Sequence, residues 1–202
     1  MITEKPNLLI IAGPNGSGKT SVTSKILQHH WIKDCLYINP DNIARDDFGD
    51  WNSPEAIIKA ANKASELREE SLLNMKSILF ETVLSAPDKI DYIRRAKESG
   101  YFIRLFFVGT DHPSINASRV TQRVIKGGHD VPIPKIISRF SKSIANCSIL
   151  APFVDRFYAY DNSEEYADPK LLFRAKDGIL VKKYSKVNIW AQSILIALKS
   201  ND

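Results

Sequence analysis

The chain has little cysteine, no long apolar run, no low-complexity tract and no internal repeat. Two cysteines among 202 residues, Cys35 and Cys147, stand far apart and match no zinc or redox spacing, which excludes a disulfide scaffold and a zinc module. Both read as small buried hydrophobes of a reducing compartment. No stretch approaches the roughly 20 apolar residues of a spanning helix, so a membrane protein is not expected. The N-terminus also lacks a basic segment leading into an apolar signal, and the expectation is a cytoplasmic protein. Charge is not concentrated either. The net value of +5 comes from basic residues scattered through the predicted helices, without the aromatic and basic interleaving of a single-strand platform. That argues against a nucleic-acid partner and suits a polyanionic small substrate in a basic cleft.

What is present is ordinary globular material, 44% hydrophobic and 25% charged, in a length that predicts a single domain over residues 1–202. Leu8-Leu9-Ile10-Ile11-Ala12 is a continuous apolar run of the kind a central parallel strand shows. Further strands are predicted at Leu36 to Ile38, Ser77 to Phe80, Tyr101 to Val108 and Asp155 to Tyr160, with helices between them from Thr20 to about His30, Ser53 to about Met75, and Ser85 to Gly100. Pro40 stops the second strand and leaves Asp41 at its carboxyl end. Residues 112–150 predict a helical lid, two helices broken at Gly127-Gly128. Leu171 to Ala175 and Ile179 to Tyr184 predict a hairpin, followed by a closing helix from Asn188 to Lys199 with Trp190, Ile194 and Leu198 on its core face. The expected fold is therefore three-layered α/β with a five-stranded parallel sheet, and its ligands should sit outside the strands' carboxyl ends.

Between the first strand and its helix stands Gly13-Pro14-Asn15-Gly16-Ser17-Gly18-Lys19-Thr20, a P-loop in the strand–loop–helix context that gives the motif its meaning. Its glycines let successive amides turn towards phosphate, and the helix adds its positive dipole end. Lys19 is expected on the β- and γ-phosphates of ATP and the Thr20 hydroxyl on Mg²⁺.

Asp41 is the candidate general base for a hydroxyl acceptor, the competing reading being a turn or helix-cap aspartate beside Asn39 and Asn42. Glu81 either holds Mg²⁺ through water or, with Thr82, contacts acceptor hydroxyls; a solvated carboxylate is the bland reading. Arg119, Arg123 and Arg139 flank the Gly127-Gly128 break and are candidates to clamp the transferring phosphoryl group. His129 reads as a turn residue, while His29 and His30 read as the cationic end of the first helix. His112, before Pro113, is assigned no chemistry. Asp161-Asn162-Ser163 reads either as a border of the adenine site or as a turn.

Taken in order, the P-loop, Asn39-Pro40-Asp41, Phe80-Glu81-Thr82-Val83-Leu84-Ser85, the arginine helix with Gly127-Gly128-His129-Asp130-Val131-Pro132, and Arg139 resemble the zeta-toxin family of kinases over roughly residues 7–163. That resemblance implies a nucleotide-kinase-like fold that uses ATP and Mg²⁺ to phosphorylate the sugar 3′-hydroxyl of UDP-N-acetylglucosamine, with an antitoxin protein as a candidate partner. It carries over Lys19 and Thr20 as phosphate and metal contacts, Asp41 as base, Glu81 and Thr82 as acceptor contacts, and Arg123 and Arg139 as lid arginines, with Arg119 as the alternate. The chain is shorter than the larger toxins. Two other readings stay open: an ATPase or binding switch acting on a protein partner, and a polynucleotide-end kinase.

Overall fold

The computed structural model describes residues 5–49 and 53–200. Its centre is strand β1 (Asn7–Ala12), flanked in parallel by β3 (Ile78–Thr82) and β4 (Phe102–Gly109); β2 (Leu36–Ile38) pairs outside β3, and β5 (Arg156–Asp161) outside β4. The hairpin of β6 (Lys170–Lys176) and β7 (Ile179–Lys183) adds antiparallel to β5, so the five parallel strands are extended to a seven-stranded sheet in the order β2-β3-β1-β4-β5-β6-β7.

The period-two rule of a strand explains the layers. Leu9 and Ile11 of β1 face the cluster that holds Val22 and Ile26 of helix α1 (Lys19–Ile26), together with Phe106 and Val108. Leu8, Ile10 and Ala12 face the larger cluster on the other side. That cluster is closed by α3 (Pro54–Leu73), α4 (Pro87–Glu98), α6 (Ile133–Leu150) and α7 (Gln192–Ala197). Because β1 is covered on both faces, all five residues of the run are fully buried, which is why it reads as continuous apolar sequence and not as alternation.

Three sequence expectations are corrected. Pro40 does not simply end β2; it opens helix α2 (Pro40–Phe48), with the Asn39 side chain accepting the Asp41 N–H as N-cap. Proline at the first position and an acid in the first turn are the same signature as Ser53-Pro54-Glu55, which starts α3. The first helix ends at Ile26, so His29 and His30 are not its terminus: the His29 ring accepts the Trp31 N–H and caps a short 3₁₀ turn, His30–Ile32. The closing helix is a 3₁₀ turn, Ile189–Ala191, followed by the six residues of α7.

The segment expected to be a lid divides in two. Helix α5 (Pro113–Ile125), capped by the His112 ring on the Ser114 N–H, packs through Val120 against Val131 and Ile136 in a small cluster apart from both sheet faces. The later turns of α6, by contrast, carry Phe140, Cys147 and Leu150 into the main core. The part that packs off the main core is therefore α5, the Gly127-Gly128 turn and the start of α6. Among the described residues no helix is long and apolar enough to cross a membrane.

Candidate active site

The carboxyl ends of the five parallel strands bring the chemistry-bearing residues to one edge. There they line a cleft of about 530 Å³ that includes Lys19, Thr20, Asp41, Glu81, Thr82, Arg119, Arg123 and Arg139, together with Asn15, Gly16 and Gly18 of the P-loop. The candidate base, acceptor contacts and arginines thus lie on one cavity, whereas Asp161, Asn162 and Ser163 do not line it. Gly13, Pro14 and Ser17 form the loop's buried underside.

The loop is held in shape by its neighbours. A Cβ on Gly13, at φ +151°, would lie 2.2 Å from the Val108 carbonyl oxygen, and one on Gly18, at φ +88°, would lie 2.0 Å from Asn162 Nδ2. Both positions demand glycine for space as well as conformation. The Asn162 amide donates to the Ser17 carbonyl at 2.9 Å, and Asn116 of α5 donates to the Asn15 carbonyl at 2.6 Å. Asn116 is itself fully buried and accepts from the Thr110 hydroxyl at the end of β4. Lys19 folds over the loop and donates to the carbonyls of Gly13 and Pro14 at 2.9 and 3.1 Å. Burial lowers its pKa, opposed by the negative charges of Glu81 and Asp41 and reinforced by Arg123 and Arg139.

Glu81 is positioned, not simply solvated. Its Oε1 accepts from the Tyr37 hydroxyl at 2.6 Å and from Thr23 Oγ1 at 2.9 Å, and Tyr37 in turn accepts from Asn39 Nδ2 at 3.0 Å. One chain of hydrogen bonds therefore links α1, β2, β3 and the cap of α2. Burial and the bond to Glu81 raise the pKa of Tyr37, so it stays a donor. After Thr82 the backbone turns at Leu84, a fully buried residue at φ +58°. That costly conformation is stabilised by the Thr82 hydroxyl on the Leu84 N–H (3.0 Å) and by Ser143 and Asn146 of α6, which donate to the Val83 and Leu84 carbonyls at 2.6 and 2.9 Å.

Asp41 sits in the first turn of α2, exposed to the cleft, and its carboxylate has no hydrogen bond or ion pair among the described residues. The three arginines are all engaged by protein oxygens. Arg119 donates to the carbonyls of Asn162 (2.8 Å) and Glu164 (3.1 Å), Arg123 donates twice to the His129 carbonyl (3.1 and 2.7 Å), and Arg139 reaches Asn15 Oδ1 of the P-loop at 3.2 Å. Arg119 thus ties α5 to the segment after β5. Asp161 is an anchor: its Oδ1 accepts Trp190 Nε1 at 2.9 Å and Ser163 Oγ at 2.7 Å.

Among the described residues no group of three or more His, Cys, Asp or Glu could hold a metal ion. A magnesium ion arriving on a nucleotide asks for less, since it keeps several waters and takes one or two protein oxygens besides phosphate. Thr20, exposed at the start of α1, and Glu81, whose Oε2 accepts no protein donor among the described residues, are donors of that kind. Sequence reasoning missed Tyr37, Thr23 and Asn116, whose spacing carries no motif, and Arg68, which reads as one more charged residue of a long helix.

The family profile described as Zeta toxin matches residues 2–147. A Haemophilus influenzae protein described as uncharacterized is 30% identical over 123 residues, covering 60% of this chain and 83% of its own length. Among solved structures, the AvrRxo1-ORF1:ORF2 complex with ATP superposes with a TM-score of 0.66 at 21% identity, over 86% of this chain and 59% of that one. The PezAT toxin-antitoxin system of Streptococcus pneumoniae gives 0.62 at 17% identity, over 98% and 79%. A kinase-fold chain from Chloroflexus aurantiacus gives 0.52 at 14%, over 68% and 80%. This chain spans only about three fifths of the AvrRxo1 protein, and at these identities the structures speak to the fold. The profile match covers well over half of the chain and includes the P-loop, so this chain belongs to the zeta-toxin family.

Proposed function

We propose that the chain transfers the γ-phosphoryl group of ATP to the sugar 3′-hydroxyl of UDP-N-acetylglucosamine. The observation that carries this reading is one cleft holding both a complete P-loop and an uncommitted carboxylate, Asp41. A carboxylate so placed can accept the proton of an alcohol lined up with the γ-phosphate, whereas in a nucleotide switch it would orient water or metal, and the choice of acceptor separates the two.

In this mechanism Lys19 exchanges the Gly13 and Pro14 carbonyls for the β- and γ-phosphates, joined by the inward amides of the loop. An Asp41 oxygen accepts the proton of the acceptor hydroxyl, whose oxygen bonds to the γ-phosphorus as the bond to the β-phosphate bridge oxygen breaks. Arg123 and Arg139 leave neutral oxygens for the charge that develops on the transferring group, and Arg119 holds the strap after β5. Glu81 and Thr82 meet the acceptor's hydroxyls. Magnesium, bound through Thr20 and Glu81, would neutralise charge on the phosphate oxygens. Closure of α5 and the Gly127-Gly128 turn over the cleft would exclude water, which otherwise competes as acceptor.

Reading the chain as a toxin adds a cytoplasmic site of action and a small antitoxin protein that covers the nucleotide cleft. Support comes from family membership and from the solved relative that is a toxin-antitoxin system. Incubation with ATP, Mg²⁺ and UDP-N-acetylglucosamine should yield ADP and a singly phosphorylated sugar nucleotide, identified by mass spectrometry, and Asp41→Asn should remove the product. ATP hydrolysis at one rate with every acceptor, and no phosphorylated product, would refute the proposal in favour of a nucleotide switch. Transfer to oligonucleotide ends alone would identify a polynucleotide kinase.

A further inference from the structure

Arg68, on the cleft-facing side of α3, lines the same cavity and is only 5% exposed. Its guanidinium lies over two aromatic rings, 5.5 Å from the Phe80 centroid and 5.9 Å from that of Tyr92. Among the described residues its side chain makes no hydrogen bond and no ion pair. The neighbouring groups that could answer its charge are already committed. Glu69 is bound by Arg95 through two bonds of 2.9 and 2.7 Å, Asp88 is paired with Lys89, and the Tyr92 hydroxyl donates to the Arg68 backbone carbonyl at 3.0 Å.

A guanidinium does not shed its proton, so Arg68 keeps a positive charge and five donors whose nitrogens open onto the cleft with no anion beside them. Two ring faces offer it attraction but accept no in-plane hydrogen bonds. A cation held this way, stacked on rings and open only to the cleft, is matched by an anion that enters there. Burial draws the Arg68 pKa down, with Tyr92, Asp88 and Glu69 opposing, as expected of a cation whose counter-charges are too distant to bond. The planar fork fits a phosphate oxygen pair better than it fits a sugar hydroxyl. Phe80, on which Arg68 rests, immediately precedes Glu81, and Ser85 and Lys89 line the cavity with it.

We infer that Arg68 seats a phosphate or diphosphate group of the acceptor, so that the enzyme selects phosphorylated sugars over neutral ones. This rests on the kinase reading above and specifies the acceptor's recognition. Two sources share the chemistry, a nucleoside-diphosphate sugar and a sugar 1-phosphate.

The test begins with binding. Wild-type protein saturated with Mg²⁺ and a non-hydrolysable ATP analogue is titrated with pyrophosphate in a calorimeter; Arg68→Met, which keeps an unbranched side chain between the rings, should bind about 30-fold or more weakly. Lys142→Ala, on a neighbouring basic pocket, should bind as wild type does. In turnover, Arg68→Met should raise the KM for the phosphorylated acceptor with kcat little changed, leave the KM for neutral N-acetylglucosamine unaltered, and be partly rescued in Arg68→Lys. Comparing UDP-N-acetylglucosamine with N-acetylglucosamine 1-phosphate identifies the source as whichever shows the larger KM effect. Absence of pyrophosphate binding to the nucleotide-filled wild type, which needs no variant, or equal binding to Arg68→Met, overturns the inference. Arg68-dependent pyrophosphate binding without turnover of UDP-N-acetylglucosamine supports the anion seat and refutes only the acceptor named above.

Discussion

The two halves of the cleft differ in how their charges are committed. Around the P-loop every cation has a protein oxygen: Lys19 holds the Gly13 and Pro14 carbonyls, Arg123 the His129 carbonyl and Arg139 the Asn15 side chain. On the side of α2 and α3, the Asp41 carboxylate and the Arg68 guanidinium, which rests on the Phe80 and Tyr92 rings, have no hydrogen bond or ion pair among the described residues. The first arrangement is self-satisfied and must exchange weak carbonyl contacts for phosphate. On the reading proposed above, the second is completed by a ligand that supplies a proton donor and an anion.

Asp41 separates the two halves of the cleft most clearly. Asp41→Asn should cut phosphoryl transfer by up to about 10⁴-fold while leaving affinity for an ATP analogue unchanged; equal loss of nucleotide affinity, measured by calorimetry, would move Asp41 to the donor half. Lys19→Ala should cost about 10³-fold in kcat/KM, with Tm changed by less than about 2 °C because the side chain lies over its own loop and supports little core packing. Gly18→Ala drives a Cβ into Asn162 and strains a left-handed backbone, so it should lose nucleotide binding together with about 1–3 kcal/mol of stability by denaturant titration. Trp190→Phe should have the smallest effect: loss of the Nε1 bond to Asp161 costs about 1–2 kcal/mol in thermal unfolding and leaves acceptor KM unchanged.

Cysteine reactivity provides a control that should be blind to the cleft. Burial pushes the Cys35 thiol up to about 11 and the buried Cys147 thiol well above its usual value, so alkylation at neutral pH should be slow and should accelerate for Cys35 only as pH rises towards 11.

Much of the fold was legible because its signals are local. An apolar run such as Leu8 to Ala12 has few uses other than a doubly covered strand, and glycines at Gly13, Gly16 and Gly18 before Lys19 and Thr20 have a backbone purpose that spacing alone exposes. Misreadings came where one residue serves two signals. Pro40 stops a strand and starts a helix, and only the Asn39 cap decides between them. The lid boundary failed differently: α6 is one continuous helix in sequence, but its far end is claimed by the main core through Phe140 and Cys147. Arg119, Arg123 and Arg139 were singled out by their flanking of Gly127-Gly128, yet the oxygens they hold come from 6 to 124 residues away, which the sequence does not record.

The order of residues by itself determined that a phosphate loop joins a buried strand to a helix, because amide geometry and glycine's conformational freedom are properties of adjacent residues. It also placed one carboxylate just past the second strand and another at the carboxyl end of the third. Only the folded chain decided that Tyr37 and Thr23 orient Glu81, that Asn116 and Asn162 brace the loop, and that Arg68 stands without an anion. Desolvation and the exhaustion of neighbouring partners depend on everything packed around a group, and no stretch of sequence records that.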